Sequence, residues 1–255
     1  MLRAMNLPVP DMMRRVLALD RLDGLWARAS GFCGSVWDRL VAAMGVQVEC
    51  PAGDLGWIPA TGPLIVVANH PHGFLDGIVA AHLVSRVRSD VKILGNALLG
   101  CLPEVCEQIL TVDVFQTGRE RTENMKALRE TLRWLDAGGV LLVFPGGTVS
   151  RFDWRKRLVE DPVWSQHFAG LARRSGARVL PMHISGGNSL VFHLMSQLHE
   201  RLGTGMLARE MMKQCGRRME IRIGEPVEAG ALEVYGSRAE ATEFLRSRVE
   251  SLGRR

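Results

Sequence analysis

The apolar positions of this chain change period as it runs, and the changes mark its elements. Leu64-Ile65-Val66-Val67-Ala68 is a continuous, largely β-branched run. Gly62-Pro63 stands before it and Asn, His, Pro and Gly after it, which predicts a buried strand. Gly77-Ile78-Val79-Ala80-Ala81-His82-Leu83-Val84 then reads as a helix, with Asp76 where an N-cap belongs. Residues 140–144 and 179–184 repeat the buried-strand pattern, and 46–49, 91–94, 110–115 and 219–223 predict further strands. Met125, Leu128, Leu132 and Leu135 fall at helical spacing, with Thr122 as a candidate cap and Gly138-Gly139 as the stop. Helices are also expected over 103–110, 164–175, 190–214 (broken at Gly203 and Gly205) and 238–252, and a surface loop over 151–162. Strands alternating with helices predict an α/β domain: a mixed, largely parallel sheet flanked by helices.

The first 45 residues differ in pattern. Asp11 is placed to cap a helix carrying Met12, Val16, Leu19 and Leu22, and Ser35 one carrying Val36, Trp37, Leu40, Val41 and Met44. These amphipathic stripes, with arginines alongside, suit either a hairpin lying on a bilayer or a pair of helices packed on the sheet. The chain therefore divides into a helical extension (1–45) and an α/β domain (46–255). Bulk chemistry narrows the partners. A formal charge of +5 favours something anionic, while 6% aromatics and a single tyrosine offer no interleaved basic-aromatic surface, so nucleic acid is not expected. The five scattered cysteines lack metal or disulfide spacing. No signal-peptide core and no spanning run is expected, which leaves interfacial contact as the route to a membrane.

Three of the buried strands end in polar turns, at 69–76, 145–150 and 185–189. In a parallel sheet the strand C-termini share one edge, so these turns can meet there. The first holds Asn69-His70-Pro71-His72-Gly73-Phe74-Leu75-Asp76. A histidine with a carboxylate to orient it is a general base, and Pro71 and Gly73 let the chain curl enough to bring His70 and Asp76 together. His70-x-His72 also suits a metal, but no further ligand cluster completes it, so none is expected. Amides around Gly147-Thr148 could hold an oxyanion. Neither Ser150 nor Ser189 sits in a nucleophile-elbow pattern.

With these motifs in view, the chain resembles the glycerolipid (lysophospholipid) acyltransferases. Asn69-His70 followed by Asp76 is similar to their first motif, and Phe144-Pro145-Gly146-Gly147-Thr148-Val149-Ser150 to their Phe-Pro-x-Gly-x-x-Ser. The bacterial hemolysin-like branch, which includes relatives of ornithine-lipid O-acyltransferases, is the nearer match. It is similar in the His-to-Asp spacing of six, in Asp90-Val91-Lys92-Ile93-Leu94 with Asn96, and in Val112-Asp113-x-Phe115. It is also similar in Asp161-Pro162-x-Trp164, in Pro181 with Gly186-x-Asn188-Ser189, and in Arg209-Glu210. Two departures stand out: Gly146 and Val149 occupy positions where many members carry the Glu and Arg associated with a glycerol-phosphate acceptor. Arg119, Arg121 or Arg151 would have to replace that cation, or the acceptor is a lyso-aminolipid.

The resemblance implies transfer of a fatty acyl group from acyl-ACP or acyl-CoA to a lyso-lipid hydroxyl. No other cofactor and no acyl-enzyme are implied. His70 and Asp76 would be catalytic, with Asn69, Gly73, Phe144, Pro145, Gly146, Gly147, Thr148, Ser150, Asn188 and Ser189 around the substrates. It also implies a peripheral place on the inner face of the cytoplasmic membrane. Two alternatives stay open on the residues alone: a non-catalytic lipid-binding protein, and a hydrolase using the same base with water.

Overall fold

A computed structural model describes residues 18–96, 105–112 and 120–254. In order the helices are α1 (Leu19–Ala29), α2 (Val36–Met44), α3 (Phe74–Ser85), α4 (Glu120–Asp136), α5 (His167–Ser175), α6 (Leu190–Leu198), α7 (Glu200–Lys213) and α8 (Arg238–Leu252). The strands are β1 (Gln47–Glu49), β2 (Leu64–Ala68), β3 (Val91–Asn96), β4 (Ile109–Val112), β5 (Val140–Val143), β6 (Arg151–Asp153), β7 (Leu158–Glu160), β8 (Arg178–Ile184) and β9 (Arg218–Ile223). Seven of them form a sheet in the order β1-β9-β8-β2-β5-β3-β4, and β6-β7 form a separate hairpin. Neighbours in the large sheet are parallel except β8 and β9. The expected mixed, largely parallel α/β fold is what the chain adopts.

Strand pleating explains why β2 reads as unbroken apolar sequence. Leu64, Val66 and Ala68 face one core together with α1, α2 and α3, while Ile65 and Val67 face a second with α5 and α8. All five side chains are buried, and each of the larger ones contributes about 1.5–3 kcal/mol. With β8 and β5 as parallel neighbours, β2 is central, so the chain leaving it emerges in the middle of the sheet's C-terminal edge.

The N-terminal stripes turn inward. Leu22 and Leu25 of α1, and Trp37, Leu40, Val41 and Met44 of α2, are buried in the first core. Packing on the sheet, rather than lying on a bilayer, accounts for their pattern over the described residues. Ser35 caps α2 as expected, in a reciprocal capping box with Asp38. The expectations for Asp11, Met12, Val16, Asp113, Phe115 and Arg119 fall outside the described residues.

Several boundaries differ from the sequence reading for identifiable reasons. Asp76 is not the N-cap of α3 but lies in its first turn: Gly73 takes the cap position at φ 86°, which only glycine adopts freely, and the helix starts at Phe74. Instead of a helix reaching Leu110, a 3₁₀ turn at Cys106–Gln108 leads straight into β4. The polar stretch after Ser150 forms a hairpin rather than a loop. Asp153 Oδ1 accepts the Arg155 and Lys156 amides at 2.7 and 3.0 Å, and Arg157 takes a left-handed conformation that closes the turn. The break after α6 falls at His199, whose backbone is extended, while Gly203 lies within α7. A Cβ on Gly203 would stand 2.6 Å from Ser196 Cβ, so that glycine permits close approach of α6 and α7. Among the described residues no helix is long and apolar enough to cross a membrane.

The sheet's N-terminal edge is clamped by Arg88. Its guanidinium reaches Asp90 through Nε and Nη2 (2.8 and 2.5 Å) and the carbonyls of Pro59, Gly62 and Gly138 (3.1, 3.0 and 2.6 Å). These residues precede β2, β3 and β5, so one buried side chain ties together the entries to three core strands.

Candidate active site

The three polar turns meet at the opposite edge, because β8, β2 and β5 are parallel neighbours. Asn69 joins the first and third turns: its Nδ2 donates to the Ile184 carbonyl and its Oδ1 accepts the Ile184 amide, at 2.8 and 2.7 Å. His72 is buried and its Nε2 lies 3.1 Å from the Ser185 carbonyl, which selects the Nε2–H tautomer. The second turn joins the first where the Ser150 amide donates to the His70 carbonyl at 2.8 Å.

Within that frame Asp76 and His70 face each other. Asp76 is fully buried, and its Oδ2 accepts the His72 and Gly73 amides at 2.8 and 2.9 Å. His70 Nδ1 lies 3.0 Å from the same oxygen, off the line of a straight hydrogen bond. The His70 ring, 17% exposed, stacks on Phe144 with centroids 4.2 Å apart and planes at 24°. Phe144 and Asp76 thus hold the imidazole from two sides. Asp76 Oδ1 is buried with no hydrogen-bond partner among the described residues. Gly73 is needed twice over: its positive φ excludes most side chains, and a Cβ there would stand 2.9 Å from Leu207 Cδ2 and 3.3 Å from Val149 Cγ2. Val149 therefore forms part of an apolar wall beside this turn.

The other expected site residues sort by what they touch. Ser150 is buried with its hydroxyl on Asp161, and Pro145 is buried with its carbonyl accepting the Ser165 amide. Gly147 donates its amide to the Phe144 carbonyl at 3.0 Å, so it closes the turn and is not free for an oxyanion. A Cβ on Gly146 would crowd Pro162 and Asp161. Gly147 and Thr148 are exposed. Ser189 caps α6, donates its hydroxyl to Glu210 at 3.0 Å and its amide to the other Glu210 oxygen at 2.8 Å. Asn188 is different: both atoms of its side-chain amide are buried without a partner among the described residues. His70 and His72 turn to separate partners, which removes the shared face a metal reading required. His82 is paired with Asp38 at 2.6 Å, and His193 is buried against Phe192 and Phe152, where burial lowers its pKa.

Two carboxylates were missed as site residues. Asp161 Oδ1 accepts the His70 amide at 3.1 Å as well as the Ser150 hydroxyl, and its Oδ2 accepts Trp164 Nε1 at 2.9 Å. It fixes the backbone of the histidine from outside the turn. The signal was Asp161-Pro162-x-Trp164 itself, a carboxylate stationed before a proline and an indole. Glu210, behind Ser189, is buried beside Lys213 at 2.5 Å. Burial alone would raise its carboxyl; the Lys213 ammonium and the two Ser189 bonds outweigh that and bring it below the ordinary 4.5.

Comparison with known proteins agrees with this construction. A family model described as acyltransferase matches residues 42–254. A lyso-glycine lipid O-acyltransferase of Phocaeicola vulgatus is 24% identical over 206 residues, covering 76% of this chain and 70% of that protein. One of Bacteroides thetaiotaomicron is 25% identical over 202 residues, covering 76% and 72%. The crystal structure of the 1-acyl-sn-glycerophosphate (LPA) acyltransferase PlsC from Thermotoga maritima superposes with a TM-score of 0.53 at 20% identity, over 100% of this chain and 87% of that one. The last shows a shared fold, and the family match spans the whole described sheet together with all three turns. This chain belongs to the acyltransferase family and is an acyltransferase.

Proposed function

We propose that the protein transfers a fatty acyl group from a thioester, acyl-ACP or acyl-CoA, to the hydroxyl of a lyso-lipid, with His70 as general base. The observation that carries this is the His70–Asp76 pair at the meeting point of three strand ends. Asp76 on Nδ1 favours the Nδ1–H tautomer and leaves the Nε2 lone pair for the acceptor. As the acceptor oxygen attacks the thioester carbonyl, its proton passes to Nε2, and the buried carboxylate stabilises the imidazolium. Collapse of the tetrahedral intermediate breaks the C–S bond; the departing sulfur takes the proton back, leaving ester and thiol. Of the second-turn amides considered for the oxyanion, Gly147 is engaged and Thr148 remains the candidate.

The acceptor favoured is a lyso-aminolipid. Val149 puts a hydrocarbon where a phosphate-binding cation would stand, and the relatives named above are lyso-glycine lipid O-acyltransferases. Asn188, with its Nδ2 and Oδ1 both unpartnered among the described residues, offers an N–H2 to donate and an oxygen to accept for a polar head. The test incubates purified protein with radiolabelled acyl-ACP or acyl-CoA and a panel of lyso-glycine lipid, lyso-ornithine lipid and lysophosphatidate. Acyl-lipid is expected with an amino-acid lipid and not with lysophosphatidate; release of free acid in every case would instead mark a hydrolase. His70→Ala should lower turnover about 10³-fold or more with the fold intact, and retention of most activity would remove His70 from its role.

A further inference from the structure

Among the described residues, α6 carries a cluster of large apolar side chains that the structure leaves exposed. On α6, Leu190, Val191, Leu194 and Leu198 fall within about 100° of arc at 3.6 residues per turn, and Leu190 and Leu198 are 61% and 75% exposed. The helix, LVFHLMSQL, contains no Asp, Glu, Lys or Arg. A solvent-facing helix ordinarily carries charges on its outer side, and among the described residues nothing covers this face. Beside it lies the β6-β7 hairpin. Trp154, 53% exposed, donates its indole N–H to Gln197 Oε1 at 2.7 Å, and Gln197 Nε2 donates to the Phe152 carbonyl at 2.9 Å. Val159, the cross-strand partner of Phe152, extends the hairpin's face toward α6.

Charge decides what covers it. The hairpin carries Arg151, Arg155, Lys156 and Arg157 against Asp153 and Glu160. Asp153 accepts two backbone amides and Glu160 is paired with Lys156 at 2.8 Å. A second copy docking face to face would bring the same cations together. An anionic bilayer meets them favourably and receives the leucine stripe and the indole in its interfacial zone.

We infer that α6 and the β6-β7 hairpin together form the surface by which this protein docks on an anionic lipid bilayer. This deepens the lyso-lipid reading above and rests on it for its purpose. Ser150 and Asp161, the residues flanking the hairpin, both bond to His70, and α6 begins directly beyond the turn whose Gly186 packs on His72. A bilayer on this face therefore lies next to the base, so that a lyso-lipid can present its hydroxyl without leaving the interface. The docking surface thus comes from mid-chain elements, while the described apolar residues of α1 and α2 lie in the core.

Flotation of the full chain with phosphatidylethanolamine–phosphatidylglycerol vesicles, and with phosphatidylcholine alone, tests this without reference to turnover. The wild type should float with the anionic vesicles. The double variant Leu194→Glu/Leu198→Glu should lose about tenfold or more of that binding. Its circular dichroism and its transfer to a short-chain, dispersed acceptor should be unchanged. Arg155→Glu/Arg157→Glu should weaken binding to the phosphatidylglycerol vesicles selectively. A wild type that stays in the soluble fraction, variants that float as it does, or self-association abolished by the leucine changes would each overturn the docking surface. A protein that floats as described yet transfers no acyl group overturns the proposed activity while the docking result stands.

Discussion

The two edges of the central sheet are finished in opposite ways. At the N-terminal edge Arg88 uses all five of its N–H groups, on a carboxylate and three carbonyls that precede core strands. At the C-terminal edge buried polar groups are left incomplete: Asp76 Oδ1 and both amide atoms of Asn188 have no partner among the described residues, and His70 meets Asp76 obliquely. Burying an unpaired polar atom costs about 1–3 kcal/mol, so such atoms persist where a water or a ligand completes them or a reaction uses them. Each edge holds the chain together; one is saturated, the other has valences to offer.

The contrast can be broken most severely at the saturated edge. Arg88→Met should cost about 3 kcal/mol of stability, read as a lower denaturant midpoint, because three carbonyls and Asp90 lose their donor together. It should leave turnover per folded molecule near wild type. If turnover falls instead with stability intact, the edges are not separable. Asp76→Asn is the reciprocal change. It keeps an oxygen for the His72 and Gly73 amides and removes the charge that supports an imidazolium, so turnover should fall about 10²-fold with little change in melting.

Glu210→Gln sharpens the comparison, since Glu210 lies on the C-terminal side yet is closed by Lys213 and Ser189. It should behave as a structural group, costing about 1–2 kcal/mol and little activity. Its pH signature has a definite sign. The folded-state pKa is below the ordinary 4.5, so the unfolded chain takes up the proton first. The stabilisation is complete above pH 4.5 and disappears as pH falls through the folded value. Denaturation measured between neutral and acid pH should show that acid loss in the wild type and a smaller one in the variant. Gly73→Ala touches both the fold and the site. Positive φ and the approach of Leu207 should cost about 1–2 kcal/mol, with a drop in turnover because the Gly73 amide positions Asp76. An unaltered melting temperature would show that the turn tolerates a side chain.

Much of this was legible along the chain because it depends on neighbours in sequence. The run Leu64–Ala68 announces a strand buried on both faces, Ser35 announces a helix start, and Asn69-His70 with Asp76 announces a histidine–carboxylate pair. The strand-end rule for parallel sheets was enough to expect three turns at one edge. Pattern cannot say which face an amphipathic helix buries: the α1 and α2 stripes and the α6 stripe are alike in composition, yet the first two are in the core and the last is exposed. That depends on what else fills the space above the sheet. Nor does sequence tell which polar atoms of a motif remain uncommitted. Asn69, Ser150 and Ser189 look as available as Asn188, until partners 115, 11 and 21 residues away engage them. Asp161 reaches the His70 amide across 91 residues, a contact that exists only once the hairpin between Ser150 and Asp161 has folded back. Local chemistry chose the groups at this site; long-range hydrogen bonding decided which of them hold the fold and which stay open for substrate.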